Sequence, residues 1–247
     1  MESKKAHVVI YTALFGNYDK LIDPPKNSWN CDFICFTDDE KIKSKIWTVV
    51  LVKEEGILPN ILNRYYKFHP HFFLKQYKYS IYVDSNILVW KDPTFLVEKY
   101  MKDFSIAAPK HPLRSCIYEE AKEIVLLGKA SPIEVKKQVE SYSSQGFPKG
   151  YGLCEMNIII RKHDCDAVVK LMDRWWTEYN SWSKRDQLSF YYSVWKMDVS
   201  VGQMFENSRQ KNGCFFVECH KNDGLLKKLR RKLKKELFRL SLHCKSN

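Results

Sequence analysis

Apolar and polar positions along the chain fall into short runs of two kinds. His7 to Ala13 (HVVIYTA), Asp32 to Thr37 (DFICFT), Ile46 to Val52 (IWTVVLV) and Tyr79 to Val83 (YSIYV) are rich in β-branched and aromatic residues and predict buried strands. Ser105 to Pro109, Leu153 to Arg161 and Cys214 to Glu218 add three more. In the second of these, the polar Glu155 and Asn157 alternate with Met156 and Ile158. Between the strands lie stretches of helical period. Ile61, Tyr65 and Phe68 recur after a candidate N-cap at Asn60, and Pro93 to Lys102 reads as a short helix. Ser115 to Val139 reads as two helices broken near Gly128 and Pro132. Asp164 to Tyr179 places Val168, Leu171, Met172, Trp175 and Trp176 on one buried side, and a further helix opens near Ser183 and runs through Trp195. Strands alternating with helices, without an internal repeat or a Pro- or Ser-rich linker, predict a single α/β domain with a mostly parallel central sheet.

Composition narrows the class. A chain of 247 residues with 45% hydrophobic content can bury one large core and carry a tail. No run approaches the roughly 20 apolar residues of a membrane-spanning helix. Met1 to Lys5 is polar and charged with no apolar segment behind it, so a cytoplasmic protein is expected. The eight cysteines show no pair at the two-residue gap of zinc ribbons or redox motifs and read as reduced and packed; Cys214, Cys219 and His220 could form only part of a zinc site.

The formal net charge of +12 points to an anionic partner, but it is unevenly placed. Between Leu225 and Leu242 lie Lys227, Lys228, Arg230, Arg231, Lys232, Lys234, Lys235 and Arg239 against Glu236 alone. Without that net +7 the rest of the chain carries +5, so nucleic-acid binding is not needed to explain the total. Leu226, Leu229, Leu233, Leu237 and Leu240 recur three or four apart among these bases. The pattern fits a helix lying in the surface of an anionic membrane, or one packed on the domain by its leucines. Residues 1–222 are therefore expected to form the domain and 223–247 a basic amphipathic tail.

Candidate chemistry centres on Tyr79-Ser80-Ile81-Tyr82-Val83-Asp84-Ser85-Asn86, a buried strand that delivers a carboxylate to its C-terminal end. In open α/β sheets ligands lie beyond the carboxyl ends of the strands, and an Asp with a second oxygen donor two residues on can share a hard divalent cation with a diphosphate. The competing reading is an Asp that caps a turn. The loop Leu14-Phe15-Gly16-Asn17-Tyr18-Asp19 after the first strand lacks both the dinucleotide fingerprint and the P-loop pattern. Arg64 and Lys67 share a helical face just before the acidic strand and could hold a diphosphate or simply be solvated. Ser141 to Gly152 reads as a mobile loop, a candidate lid. Asp186 and Gln187 open a helix, where an acid suits the dipole in any protein.

Several of these segments in order, IYTALFGNYDKL, DFICFTDD, NRYYKFHPH, YSIYVDSNILV, GLCEMNIIIRKHD and RDQLSF, resemble the glycosyltransferase-like family known as domain of unknown function 616. That family is similar in turn to glycogenin-like and lipopolysaccharide glycosyltransferases of the GT-A fold. The resemblance covers about residues 7 to 220. It implies a nucleotide diphosphate sugar donor, a glycan or lipid-linked acceptor and a divalent cation, Mn²⁺ or Mg²⁺. It puts Thr12, Ala13 and Tyr18 near the base and ribose, and Arg64 and Lys67 near the diphosphate and donor sugar. Asp84, Asn86 and His220 fall at the metal, and Asn157, Asp186 and Gln187 at the transferred sugar and acceptor. The resemblance implies Asp186 as the catalytic carboxylate, acting as base or stabilising the sugar cation, with Gln187 beside it. One departure stands out: the usual pair of aspartates is Asp84-Ser85-Asn86 here, with an amide as the second ligand. One charge fewer predicts a cation that arrives largely with the diphosphate.

Other classes compete. Some members of that family have been assigned lipid-hydrolase activity, which would require a three-ligand metal set that the spacing does not supply. A non-catalytic binder of anionic polymer using the tail is the remaining alternative.

Overall fold

The computed structural model describes residues 7–25, 29–210, 213–221, 223, 224 and 229. The tail helix expected after Asp223 falls almost wholly outside these residues.

The apolar runs form β1 (Val8–Leu14), β2 (Asp32–Thr37) and β3 (Thr48–Leu51), followed by helices α1 (Pro59–Phe68) and α2 (Pro70–Phe73). Next come β4 (Tyr79–Val83), β5 (Ile87–Val89), α3 (Phe95–Tyr100), β6 (Ile106–Pro109), α4 (Ile117–Leu126) and α5 (Pro132–Ser144). The chain continues through β7 (Ile158–Lys162), α6 (Asp166–Ser181), α7 (Asp186–Met197), β8 (Gly202–Met204) and β9 (Phe215–Val217). Seven strands make one sheet in the order β3-β2-β1-β4-β7-β6-β8. Every neighbouring pair is parallel except those that involve β7, which runs antiparallel to both β4 and β6. The expected mostly parallel α/β sheet is the one observed.

Period-two alternation sorts the strands onto two buried faces. Tyr11, Tyr82 and Ile159 join the larger apolar cluster with residues of α1, α6 and α7, such as Leu62, Trp175 and Phe190. Ile10, Ile81 and Ile160 point the other way, against Leu96 and Val97 of α3 and Phe215 of β9. Cover on both faces is why β1 reads as continuous apolar sequence.

The chain leaves β1 for β2 and β3 on one side, then returns to add β4 on the other. A crevice therefore opens at the carboxyl ends of β1 and β4, where the direction of winding reverses. Tyr11 pairs with Tyr82, so Asp84 emerges level with Ala13 at the mouth of that crevice. β5 departs from the main sheet and pairs antiparallel with β9, Ile87 against Val217. That ribbon carries the chain from Glu218 back alongside Asn86, whose carbonyl accepts the Glu218 N–H at 2.8 Å.

Three local expectations are corrected. The helix after Leu58 begins at Pro59, with Leu58 as its cap and Asn60 already inside the first turn. Proline suits that position because its missing N–H would go unpaired there anyway. The run from Leu153 is strand only from Ile158; before it, Cys154 makes a single bridge to Lys110 while Glu155 turns to pair with Arg209. Part of the expected loop is helix and anchored: α5 extends through Ser144, Phe147 is buried and Tyr118 donates to its carbonyl at 2.8 Å, while 148–151 are exposed.

Candidate functional site

Polar residues from six segments converge on the crevice, a cleft of about 760 Å³, within the range of pockets that hold small ligands and cofactors. Its floor and one wall come from the loop after β1 (Tyr18, Asp19), from Arg64 of α1, from Asp84 and Asn86 after β4, and from His220 after β9. Lys129 from the α4–α5 turn and Lys184 and Arg185 from the α6–α7 turn complete the lining. The bend after β1 rests on Gly16, with φ of +66°, whose N–H donates to the Asp38 carboxylate at 3.0 Å. A β-carbon there would come within 2.6 Å of Pro59, so only glycine lets this loop lie against α1.

The most consequential side chain is one that surface reasoning would have left in water. Lys67 is 1% exposed, and its ammonium lies 2.8 Å from Asp186 Oδ2 and 3.5 Å from Asp84 Oδ1, over the ring of Tyr82. Arg64, one turn earlier, places Nε 3.2 Å from the same Asp186 oxygen, and its Nη1 donates to Asn63 Oδ1. The solvated reading of this basic pair is therefore wrong. The apolar face of α1 is rotated from the one the sequence suggested: Leu62, Tyr66 and Phe68 are buried together with Lys67.

Packing fixes the arrangement. Tyr11 of β1 donates its hydroxyl to the Lys67 carbonyl at 2.9 Å, and Arg161 of β7 donates to the Tyr11 oxygen. Phe68 stacks on Trp175 of α6 with ring centroids 3.7 Å apart, and Trp175 Nε1 donates to the main-chain oxygen of Asp186 at 3.0 Å. Trp175 is thus core, as its helical spacing suggested, and it ties the start of α7 to the end of α1.

Electrostatics follow from these distances. Burial opposes ionisation of Asp186, but Lys67, then Arg64 and Arg185, hold its carboxyl well below the usual range. Burial likewise opposes charge on Arg64, and Asp186 followed by Asp84 overrides it, leaving the guanidinium more firmly protonated than usual. A carboxylate held this strongly ionised is a poor proton acceptor. Asp186 lies behind the cleft lining, 3.2 Å from Arg64 Nε and 2.8 Å from Lys67 Nζ, where it positions both cations.

A second cluster surrounds Asn86. His220 Nδ1 lies 2.7 Å from Asp19 Oδ2 and its Nε2 lies 3.4 Å from Asn86 Nδ2. With Nδ1–H donated to the carboxylate, the neutral ring presents Nε2 as its acceptor, the tautomer a metal ligand requires. Asn86 also donates to the Glu218 carbonyl at 3.2 Å, which uses its amide hydrogens and leaves its carbonyl oxygen for a cation. Both described contacts to Asp84, from Lys67 and from Tyr82 at 2.9 Å, fall on Oδ1. Asp84 Oδ2 and Asn86 Oδ1 are hard oxygen donors that could hold a divalent ion, and His220 Nε2, which here accepts the Asn86 N–H, could join them on release of that hydrogen bond. Asp19, which the sequence reading missed, is buried beneath His220 and also accepts the Lys221 N–H at 3.0 Å. Its only signal was its place in the loop after the first strand.

The remaining expected residues sit behind these walls. The side chains of Thr12 and Ala13 are buried in the sheet, and Ala13 contributes its carbonyl to Asn63 Nδ2. Asn157 holds Asp84 in place, its carbonyl accepting the Asp84 N–H at 2.9 Å, while its side chain donates to Ser208. Gln187 donates to the Cys154 carbonyl at 3.2 Å. None of the four lines the cleft. The partial zinc set is not formed: among the described residues no three His, Cys, Asp or Glu side chains are grouped so as to hold a metal ion, and Cys214 packs in the core.

Comparison with known proteins places this architecture. Residues 1–221 match the model of the TOD1/MUCI70 glycosyltransferase-like domain. The chain belongs to that family. It is 23% identical to alkaline ceramidase TOD1 of Arabidopsis thaliana over 234 positions, covering 78% of this chain and 49% of that protein, so it spans about half of that relative's length. Among solved structures it is similar to the apo structure of the bifunctional glycosyltransferase WbbM, with a TM-score of 0.50 at 9% identity, over 83% of this chain and 39% of that one. The likeness concerns the fold.

Proposed function

We propose that this member of the TOD1/MUCI70 family transfers a hexosyl group from a nucleotide diphosphate sugar to an acceptor hydroxyl, assisted by Mn²⁺ or Mg²⁺. The carrying observation is the buried Lys67, set between Asp84 on the cleft and Asp186 behind it with Arg64 alongside, at the reversal point of the sheet. In such a transfer the hard step is departure of the diphosphate as the sugar carbon gains oxocarbenium character. A divalent ion on Asp84, Asn86 and His220 would supply charge to that leaving group. Arg64, held against Asp186, presents a fixed guanidinium to the phosphate oxygens and needs no reorganisation as charge develops. Lys67 keeps Asp84 oriented, Asp19 keeps His220 in its acceptor tautomer, and Asp186 keeps both cations in place. Tyr18 stands at the cleft edge, more than half exposed, where a base or ribose could stack.

The name of the plant relative raises amide hydrolysis of a sphingolipid as a second reading. Hydrolysis on zinc calls for three ligands drawn from His, Cys, Asp and Glu and an open position, and among the described residues no three such side chains are grouped; the Asp84, Asn86 and His220 set includes a neutral amide. Incubation with a panel of sugar nucleotides and Mn²⁺ separates the two. Slow release of nucleoside diphosphate from one donor supports the transferase. Silence with every donor, together with fatty-acid release from ceramide, overturns it.

We infer a role at an anionic membrane surface from the basic leucine-striped tail, a pattern suited to meeting a lipid-linked acceptor. No helix among the described residues is long and apolar enough to cross a membrane. Sedimentation with phosphatidylserine vesicles, lost when residues after Asp223 are removed, tests this; equal sedimentation of the truncated chain refutes it.

A further inference from the structure

The cleft carries more positive charge than a donor and its cation would use. On the strand side Asp84 and Asp186 face Lys67 and Arg64, and Asp19 faces the neutral His220 ring and the Lys221 N–H, which leaves one negative charge against the three remaining cations. A nucleotide diphosphate sugar brings two further negative charges, which a divalent cation would balance. That leaves Lys129, Lys184 and Arg185, all lining the cleft from the helical turns. None of the three forms an ion pair with a carboxylate among the described residues. Lys184 rests its ammonium on the Asn180 carbonyl at the end of α6. Arg185 acts on the Asp186 carboxyl only at longer range, and its Nε is buried without a hydrogen-bond partner.

These cations come from different elements, the α4–α5 turn and the α6–α7 turn, and line the same cleft. Lys184 is held in the left-handed region, with φ of +57°, a conformation that a lysine adopts at some cost. Lys129 and Lys184 are exposed, and the cleft they line also holds an arginine whose Nε has no partner. From this geometry we propose that the acceptor is an anionic glycan: a carboxylate or phosphate on it docks against Lys129, Lys184 and Arg185 while its hydroxyl meets the donor sugar.

The proposal rests on the transferase reading above and deepens it. A binding experiment tests it with the donor site filled. The full chain is saturated with Mn²⁺ and the nucleoside diphosphate that gives the largest thermal shift, then titrated calorimetrically with three probes: trigalacturonate for carboxylate, glucose 1-phosphate for phosphate, and neutral maltotriose. One or both anionic probes should bind at least ~10-fold more tightly than maltotriose, with an affinity that falls as salt rises. The double variant K129Q/K184N removes two of the three charges, and asparagine tolerates the left-handed backbone at 184. It should abolish the preference while leaving nucleotide affinity within about twofold. Preference for the carboxylate or for the phosphate probe identifies which anion the wall takes. Equal binding of all three probes, or of none, overturns the proposal. So does a variant that loses nucleotide affinity, which would assign these cations to the donor diphosphate. Failure of every nucleotide to bind defeats the transferase reading itself and is distinguished by the first step.

Discussion

Replacing Lys67 with methionine keeps the bulk of the side chain and removes only its charge. In the folded protein that charge sits 2.8 Å from Asp186 and 3.5 Å from Asp84, with 1% of the side chain exposed. At an effective dielectric of about 20 a contact near 3 Å is worth about 5 kcal/mol gross, most of which offsets the desolvation of the two ions. Removing one partner forfeits the attraction while the Asp186 carboxylate stays buried, so the net loss should be about 3 kcal/mol. For a domain of this size that corresponds to a fall in Tm of about 6–12 °C. Urea unfolding at pH 7 measures it directly. The pH dependence is diagnostic. Asp186 is depressed in the folded state, so its contribution is fully present above the unfolded carboxyl value of about 4 and is lost as pH falls below it. The gap between wild type and variant should therefore narrow as pH falls below about 4, where Asp186 of the unfolded chain takes up a proton that the folded chain still refuses. A gap that stays constant into acid would mean that Lys67 acts by packing, and the electrostatic account of the site would be refuted. Lys67→Met with Asp186→Asn should recover part of the stability, because no uncompensated carboxylate stays buried there although Arg64 loses its partner, yet it should not recover donor turnover.

Asn86→Asp restores a second carboxylate and should tighten Mn²⁺ by at least ~10-fold in the absence of nucleotide; calorimetry that finds no change would place Asn86 outside the metal shell. Gly16→Ala forces a β-carbon within 2.6 Å of Pro59 and should cost about 2 kcal/mol while raising the donor KM, checked by chemical unfolding and donor titration. His71 and His163 are both pushed by burial down to about 4. Below about pH 6.5 the unfolded chain binds protons that the folded one refuses, so stability should decline from there toward pH 4, and both single Gln variants should flatten that slope.

Much of the frame was legible because burial on both faces makes strands read as apolar runs: β2 and β4 have the bounds their sequences suggested, and β1 is displaced by one residue. β8, three residues of Gly-Gln-Met, has no such signal and forms because β6 offers it an edge. The reversed direction of β7 is likewise invisible locally, since pairing direction is set by the returning chain. Asp84 and Asn86 could be placed from the end of one strand. The union of Lys67 with Asp186, 119 residues apart, could not, because charge spacing on a helix does not reveal whether the facing surface is water or a buried carboxylate. His220 meets Asn86 only because β9 pairs with β5.

The proposed transfer depends most on Asp84 gripping a diphosphate through a bound ion. Calorimetric titration of the preferred nucleoside diphosphate into wild type and Asp84→Ala, each with Mn²⁺ and with chelator, measures that directly. Tight binding to the wild type with Mn²⁺ alone, weakened at least ~100-fold by either chelator or substitution, is the expected result. Nucleotide affinity that is the same in all four titrations would contradict it.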